Sequence, residues 1–285
     1  MAVRLDGLIM RKSFFSGTTG IFSLFFIPYL ITIVFNGVES TLVNRKFDME
    51  MILPVIVASQ IGETYELETI KAQTIIARSN FCRKIQEQDS FSKVLNEIRN
   101  EVKGKSLYLA VSQEKYEKAV TDTEGMVMTW DGELKQVPYH ELSAGQTRDG
   151  REVFHSEEED YLKSVQSSVD KESKNYLNSV YINQKILPKE LNVKERDSAG
   201  YVTELLADGK TLEGESFRKG MGLTSANFTI QNIGNQVRFL CKGRGHGMGF
   251  SQYGGNELAK NSNSAEEILA YYFPSMEIQE ITEIF

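Results

Sequence analysis

Cysteine is scarce in this chain: Cys82 and Cys241 are the only two in 285 residues. A secreted scaffold stapled by disulfides needs more, so the fold must rest on packing, with a single Cys82–Cys241 bond left open. No C-x-x-C pair and no histidines at ligand spacing occur, which removes a sequence-visible zinc site; neither metal nor cofactor is expected. A basic surplus is also missing. The net charge is −7, so no excess of cations exists to neutralise phosphates, and nucleic acid is excluded as a partner. Proline is sparse at 5 residues, too few for a disordered chain, and the 41% hydrophobic content suffices for a core.

Long apolar runs are absent with one exception. Residues 20–35, GIFSLFFIPYLITIVF, are apolar save Ser23 and Thr32, and Arg11 and Lys12 precede them. With Thr18 and Thr19 the run approaches the ~20 residues a membrane span needs. The basic flank predicts a cytoplasmic N-terminus, and the following NGVESTLVN offers no small-residue cleavage site, which favours an uncleaved anchor. The expectation is a single-pass cell-membrane protein with its bulk extracytoplasmic: residues 1–37 as cytoplasmic tip and anchor, 38–285 as the working domain. The fold class expected is α+β, the anchor being followed by one unit of mixed helices and antiparallel strands.

Local patterns fill in that unit. Leu67, Ile70, Ile75, Ala77 and Phe81 recur at helical spacing, with Glu66, Glu68 and Lys71 on the polar face. SLYLAVS (106–112) reads as a strand, and a helical piece spans about 113–122. Asp131-Gly132 between alternating runs is the strongest hairpin signal. The acids of SEEEDYLKSVQSSVD (156–170) suit a helix start, where they favour the positive dipole end. A strand, an Asp-Gly turn and a short helix are expected over 198–222, and a second hairpin over 227–243. Ser264 with Glu267 forms a capping box before a helix stopped by Pro274.

The second hairpin runs into GRGHGMGFSQYGG (243–255), six glycines in thirteen positions around one imidazole, His246. Such density costs conformational entropy and must serve sharp turning or close approach. The stretch lacks the Lys of a phosphate loop, the long helix of a dinucleotide fold and the G-x-S-x-G of a nucleophile elbow. Gly245, His246, Gly247, Ser251 and Gln252 in a bared loop instead suit an extended hydroxyl-rich polymer such as a sugar chain. A purely structural His246 is the competing reading.

Three blocks carry a resemblance: ETIKAQTIIARS (68–79), AVTDTEGMVMTWDGELKQVPYHELSAGQTR (119–148), and GRGHGMGFSQYGGNELA with SAEEILAYYFPSMEI. In this order they resemble the stage II sporulation protein D family, the SpoIID/LytB domain, over about residues 48–285. The resemblance implies a peptidoglycan lytic transglycosylase acting in sporulation or engulfment. Such an enzyme cleaves the MurNAc–GlcNAc bond of peptide-free glycan strands with a single acid. The acid protonates the leaving oxygen and then takes the proton of the sugar's own C6 hydroxyl, leaving a 1,6-anhydro end. The implied partners are glycan strands, the membrane through residues 20–35, and other cell-wall hydrolases of an engulfment complex.

One position departs from the family. Its acid precedes the K-A-Q lysine by eleven residues, and counting back from Lys71 lands on Gln60. An amide neither gives nor takes a proton near neutrality. Three readings stand open: an inactivating replacement, a natural glycan-binding relative that stimulates or positions an amidase, or Glu63 acting as substitute acid. Motif matching adds Lys71, Gln73, Arg78, Ser143, Thr147, His246, Gly247, Ser251 and Gln252 as substrate-binding residues. Lys71 and Arg78 share a helix face, facing either a muramyl carboxylate or an ion-pair partner such as Glu63 or Glu68. Some family members bind zinc through one histidine and two cysteines after the hairpin. His140 stands in that region without cysteines, so no zinc is carried over.

Overall fold

The computed structural model describes residues 45–88, 93, 94, 97 and 113–281. The chain divides into two units, Met1–Met51 and Ile52–Phe285; the account below concerns the second. Among the described residues no helix is long and apolar enough to cross a membrane. The anchored fold class is thereby corrected to a mixed helix-and-strand fold. The longest described helix, Leu67–Gln88, carries Glu68, Lys71, Arg78, Arg83, Lys84 and Glu87 and is no membrane helix. The run at 20–35 and the strand expected at 106–112 lie outside the described residues.

Helix α1 spans Arg45–Gln60 and α2 spans Leu67–Gln88, followed by α3, Gln113–Asp122. α2 is buried on nearly every side from Thr69 to Cys82, so it is a core helix rather than an amphipathic surface one. Its buried hydroxyls bond back along the helix, Thr74 to the Ile70 carbonyl and Ser79 to that of Ile75. Its first turn is capped from afar: the Asn256 side-chain oxygen accepts from the Glu66 N–H at 2.7 Å and from the Thr69 hydroxyl at 3.3 Å.

Strands β1 (Met126–Trp130) and β2 (Glu133–Leu134) form the expected hairpin, pairing Trp130 with Glu133. Asp131 and Gly132 both take positive φ, 50° and 77°, as the two central residues of a tight right-twisting turn must. β11 (Glu277–Glu280) pairs antiparallel along the other edge of β1. β3 (Tyr139–His140) and β10 (Phe250–Ser251) form a short parallel pair, the exception to the antiparallel expectation.

Two further antiparallel sheets stand together. β4 (Leu177–Asn183), β9 (Gln236–Lys242) and β8 (Phe228–Ile233) make one, and β5 (Leu191–Arg196), β6 (Val202–Ala207) and β7 (Lys210–Glu213) the other. Between them lies a core of Val202, Leu205, Leu223, Val237 and Cys241 around Phe217, Phe228 and Phe239, whose ring centroids are 5.5–5.9 Å apart. Phe217 comes from α5, Gly214–Gly220. A separate core joins α2 to Phe250 and to α7 (Ala265–Tyr272) through Ile75, Ile76, Ile268, Leu269 and Tyr272. The capping box of Ser264 and Glu267 is present.

The helix expected from residue 156 is not formed. Short α4 (Gly150–Phe154) is followed by single 3₁₀ turns at Glu157–Glu159 and Ser168–Glu172. The reason is that the backbone groups are used elsewhere: Thr147 N–H donates to the Val165 carbonyl and Gly150 N–H to that of Leu162. Cys82 and Cys241 are both free and buried, so the bond left open by the sequence is not made.

Candidate functional site

The glycine-rich stretch solves a threading problem. Between β9 and β10 it passes along residues 138–148, exchanging hydrogen bonds between Arg244 and Leu142 and giving the Gly247 carbonyl to Arg148 N–H. At Gly247, with φ 80°, a Cβ would sit 2.3 Å from the Tyr201 ring, and at Gly249 one would sit 2.3 Å from the Pro138 carbonyl. No larger residue fits either place. The close approach that the glycines allow is to the protein itself.

His246 follows from that packing. Its Nδ1 accepts from Met248 N–H at 3.1 Å, and its ring centroid stands 5.7 Å from that of His140. His140 bonds the Met248 carbonyl through Nδ1 at 2.9 Å, while its buried Nε2 has no partner. Burial drives the His140 pKa down to about 3 and lowers that of His246, so both rings are neutral. Among the described residues no group of three His, Cys, Asp or Glu side chains could hold a metal.

Directly after β10 begins α6, Gln252–Lys260, and here three of the residues singled out from sequence meet. Gln252 Nε2 donates to the Gln60 main-chain carbonyl and to Gln73 Oε1, both at 3.0 Å. Gln73 Nε2 then donates to Gln60 Oε1 at 2.8 Å. The direction of this amide chain is forced: a backbone carbonyl only accepts, so Gln252 must turn its nitrogen inward. Gln73 must then offer its oxygen to Gln252 and its nitrogen to Gln60. Position 60 therefore presents an oxygen, as a carboxylate would. Gln73 and Gln252 are buried while Gln60, the last residue of α1, is half-buried.

Ser143 and Ser251 meet on a residue that the sequence did not flag, Asp170. Its Oδ2 accepts from Ser143 N–H at 2.9 Å and from the Ser251 hydroxyl at 2.8 Å. Its Oδ1 is buried with no hydrogen bond. Burial raises the Asp170 pKa, offset in part by hydrogen bonds from Ser143, Ser251 and Ser167. Ser251 also caps α6 by accepting from Gly254 N–H. Asp170 sits in SSVDKES, a polar stretch with no periodicity, which explains why nothing in the sequence singled it out.

The other residues are placed apart. Lys71 pairs with Glu68 at 2.8 Å and with Asp122 of α3 at 2.9 Å, the ion-pair alternative. Arg78 is fully buried and donates to the Val120 and Met126 carbonyls and the Thr123 hydroxyl, so it stitches α2 to α3 and β1. The Thr147 hydroxyl accepts from Val165 N–H. α1 leaves helical geometry at Gln60, so Glu63 is not one helical turn further on. It is exposed in the turn that follows, whose Glu63 and Tyr65 carbonyls accept from the Lys115 ammonium.

Residues 38–130 match the family described as stage II sporulation protein, SpoIID. The match covers about a third of the chain, which is similar to that family there. It is 26% identical over 249 residues to stage II sporulation protein D of Bacillus subtilis (strain 168), covering 79% of this chain and 72% of the relative. The protein of the same name from Bacillus amyloliquefaciens is 27% identical over the same span and shares. An uncharacterized protein of Brachyspira hyodysenteriae is 23% identical over 282 residues, 92% of this chain and 73% of the relative. The matched family and both Bacillus relatives are named as sporulation proteins.

Proposed function

We propose that this chain binds peptide-free MurNAc–GlcNAc glycan strands outside the cytoplasm at a site of lytic-transglycosylase type whose proton carrier is replaced by Gln60. The observation that carries the proposal is the amide chain ending on Gln60 Oε1. Gln73 and Gln252 hold an acceptor oxygen at the end of α1, and a glutamic acid there would accept the same bond. What the amide lacks is an acidic proton to give to the leaving glycosidic oxygen. Strand capture without turnover is the consequence, and positioning of a cell-wall amidase on the captured strand is the role that suits it.

The test uses denuded sacculi. The parent chain should sediment with them and release no anhydro-ended fragments, whereas Gln60→Glu should release such fragments with little loss of binding. Cleavage by the parent that disappears in Glu63→Ala would make Glu63 the acid. Cleavage that survives Glu63→Ala would overturn the assignment of position 60.

A further inference from the structure

Two of the clefts formed by the described residues differ in how much of their lining is already used. The larger, about 540 Å³, lies around α4 and the turn after it. Its charged groups satisfy one another. Arg151 pairs with Glu157 and Asp160, Lys163 with Asp160, and Glu152 accepts from the Ser198 backbone and hydroxyl.

The second, about 430 Å³, is within the size range of small-ligand sites and is lined by Thr64, Tyr65, Lys174, Asn175, Tyr253 and Asn256, among others. Its walls are continuations of the site above. Tyr65 follows the end of α1, Tyr253 follows Gln252, and Lys174 and Asn175 follow the turn that carries Asp170. Here the polar groups are unspent. Among the described residues the hydroxyls of Tyr65 and Tyr253, the Asn175 side-chain amide and the Lys174 ammonium make no hydrogen bond within the protein. Asn256 commits its oxygen to the start of α2 and keeps its amine as a donor. Lys260 is held by Glu257 at 2.7 Å, while Lys174 has no ion pair among the described residues. Burial pushes the Tyr65 pKa up to about 12, so its hydroxyl remains a donor at neutral pH.

Two phenol rings beside uncommitted hydroxyl and amide groups suit a pyranose, whose C–H faces pack on aromatic rings while its hydroxyl and N-acetyl groups take polar partners. The uncompensated ammonium adds a preference for an anionic sugar. We propose that this cleft is a saccharide subsite flanking position 60, in which Tyr65 and Tyr253 hold a pyranose and Lys174 pairs with a carboxylate on it. The inference rests on the glycan-strand reading and extends it. A muramyl lactyl group is anionic once its peptide is gone and neutral while amide-linked, so Lys174 selects stripped strands.

The probes are a MurNAc–GlcNAc tetrasaccharide with free lactyl carboxylates and chitotetraose, which has none, titrated calorimetrically into the full chain. Lys174→Gln, at an exposed position that does not threaten folding, should weaken the muramyl tetrasaccharide about three-fold and leave chitotetraose unchanged. Tyr253→Ala should weaken both by about ten-fold. Equal weakening of the two sugars by Lys174→Gln overturns the carboxylate contact. Unchanged muramyl affinity in both variants overturns the subsite and leaves the glycan reading intact. A parent chain that binds neither sugar overturns both.

Discussion

Single side chains in this site are held by bonds that leave little slack. Gln252 spends both amine hydrogens, one on Gln60 and one on Gln73. Gln252→Ala strands two acceptors in a dry environment and should cost about 1–3 kcal/mol in chemical denaturation. Asp170 makes a prediction in pH. Its pKa is raised in the folded state by burial, so its stabilising contribution is complete below the ordinary aspartate range and is lost as pH rises through the folded value. The five tyrosines whose pKa values its charge raises, Tyr65, Tyr176, Tyr201, Tyr253 and Tyr272, titrate far above this window. His140 acts with the opposite sign. With its pKa lowered to about 3, it loses stability as pH falls below the unfolded histidine value. Asp170→Asn keeps an acceptor for Ser143 and Ser251 and removes the first effect only. The melting temperature of the parent relative to Asp170→Asn should therefore rise between pH 7 and pH 4, and a flat difference would refute the raised pKa. Gln60, Gln73 and Gln252 were all legible as motif positions; Asp170 was not, because an acid in an aperiodic polar loop carries no local mark of burial.

At the scale of elements, the start of α2 depends on a residue nearly two hundred positions away. Asn256→Ala removes the acceptor for Glu66 N–H and the Thr69 hydroxyl, and should lower stability by about 1 kcal/mol, the usual worth of an N-terminal cap. Hydrogen exchange should then quicken in the first turn of α2 and not in its last. The β1–β2 hairpin, α2, α3 and the capping box of α7 were readable because each is written in adjacent residues: a turn pair, a helical period, a cap. The helix expected from residue 156 failed for the same reason in reverse. Its acids describe a favourable helix start, but the carbonyls of Leu162 and Val165 are taken by Gly150 and Thr147, partners that no local rule can see.

For the whole molecule, the loops around the site are tied to the two-sheet region by a buried ion pair. Arg148 Nε bonds Asp197 Oδ2, and both side chains are at most 4% exposed. Asp197 also accepts from Tyr201 N–H, and the Arg148 guanidinium lies 5.0 Å from the centre of the Tyr201 ring, the ring on which Gly247 packs. Arg148→Ala leaves Asp197 buried and unpaired, and should cost about 3–5 kcal/mol, whereas Arg148→Met with Asp197→Leu should recover most of the loss. Urea denaturation of the two variants checks both statements. No single segment announces this link, since its members stand at 148, 197, 201 and 247.

By itself the sequence determined the composition limits, the two hairpins, the helices α2, α3, α5 and α7, the resemblance to a known family, and the identity of the amide at position 60, because each is a property of neighbouring residues or of a linear motif. Only the tertiary structure decided that the glycines face Tyr201 and Pro138, that Arg78 is an internal stitch, and that Gln60, Gln73 and Gln252 form one directed chain. It also brought Ser143 and Ser251 onto Asp170. Burial and hydrogen-bond partnership are set by atoms distant along the chain, and they fix which polar side chains are spent on the fold and which are left for a ligand.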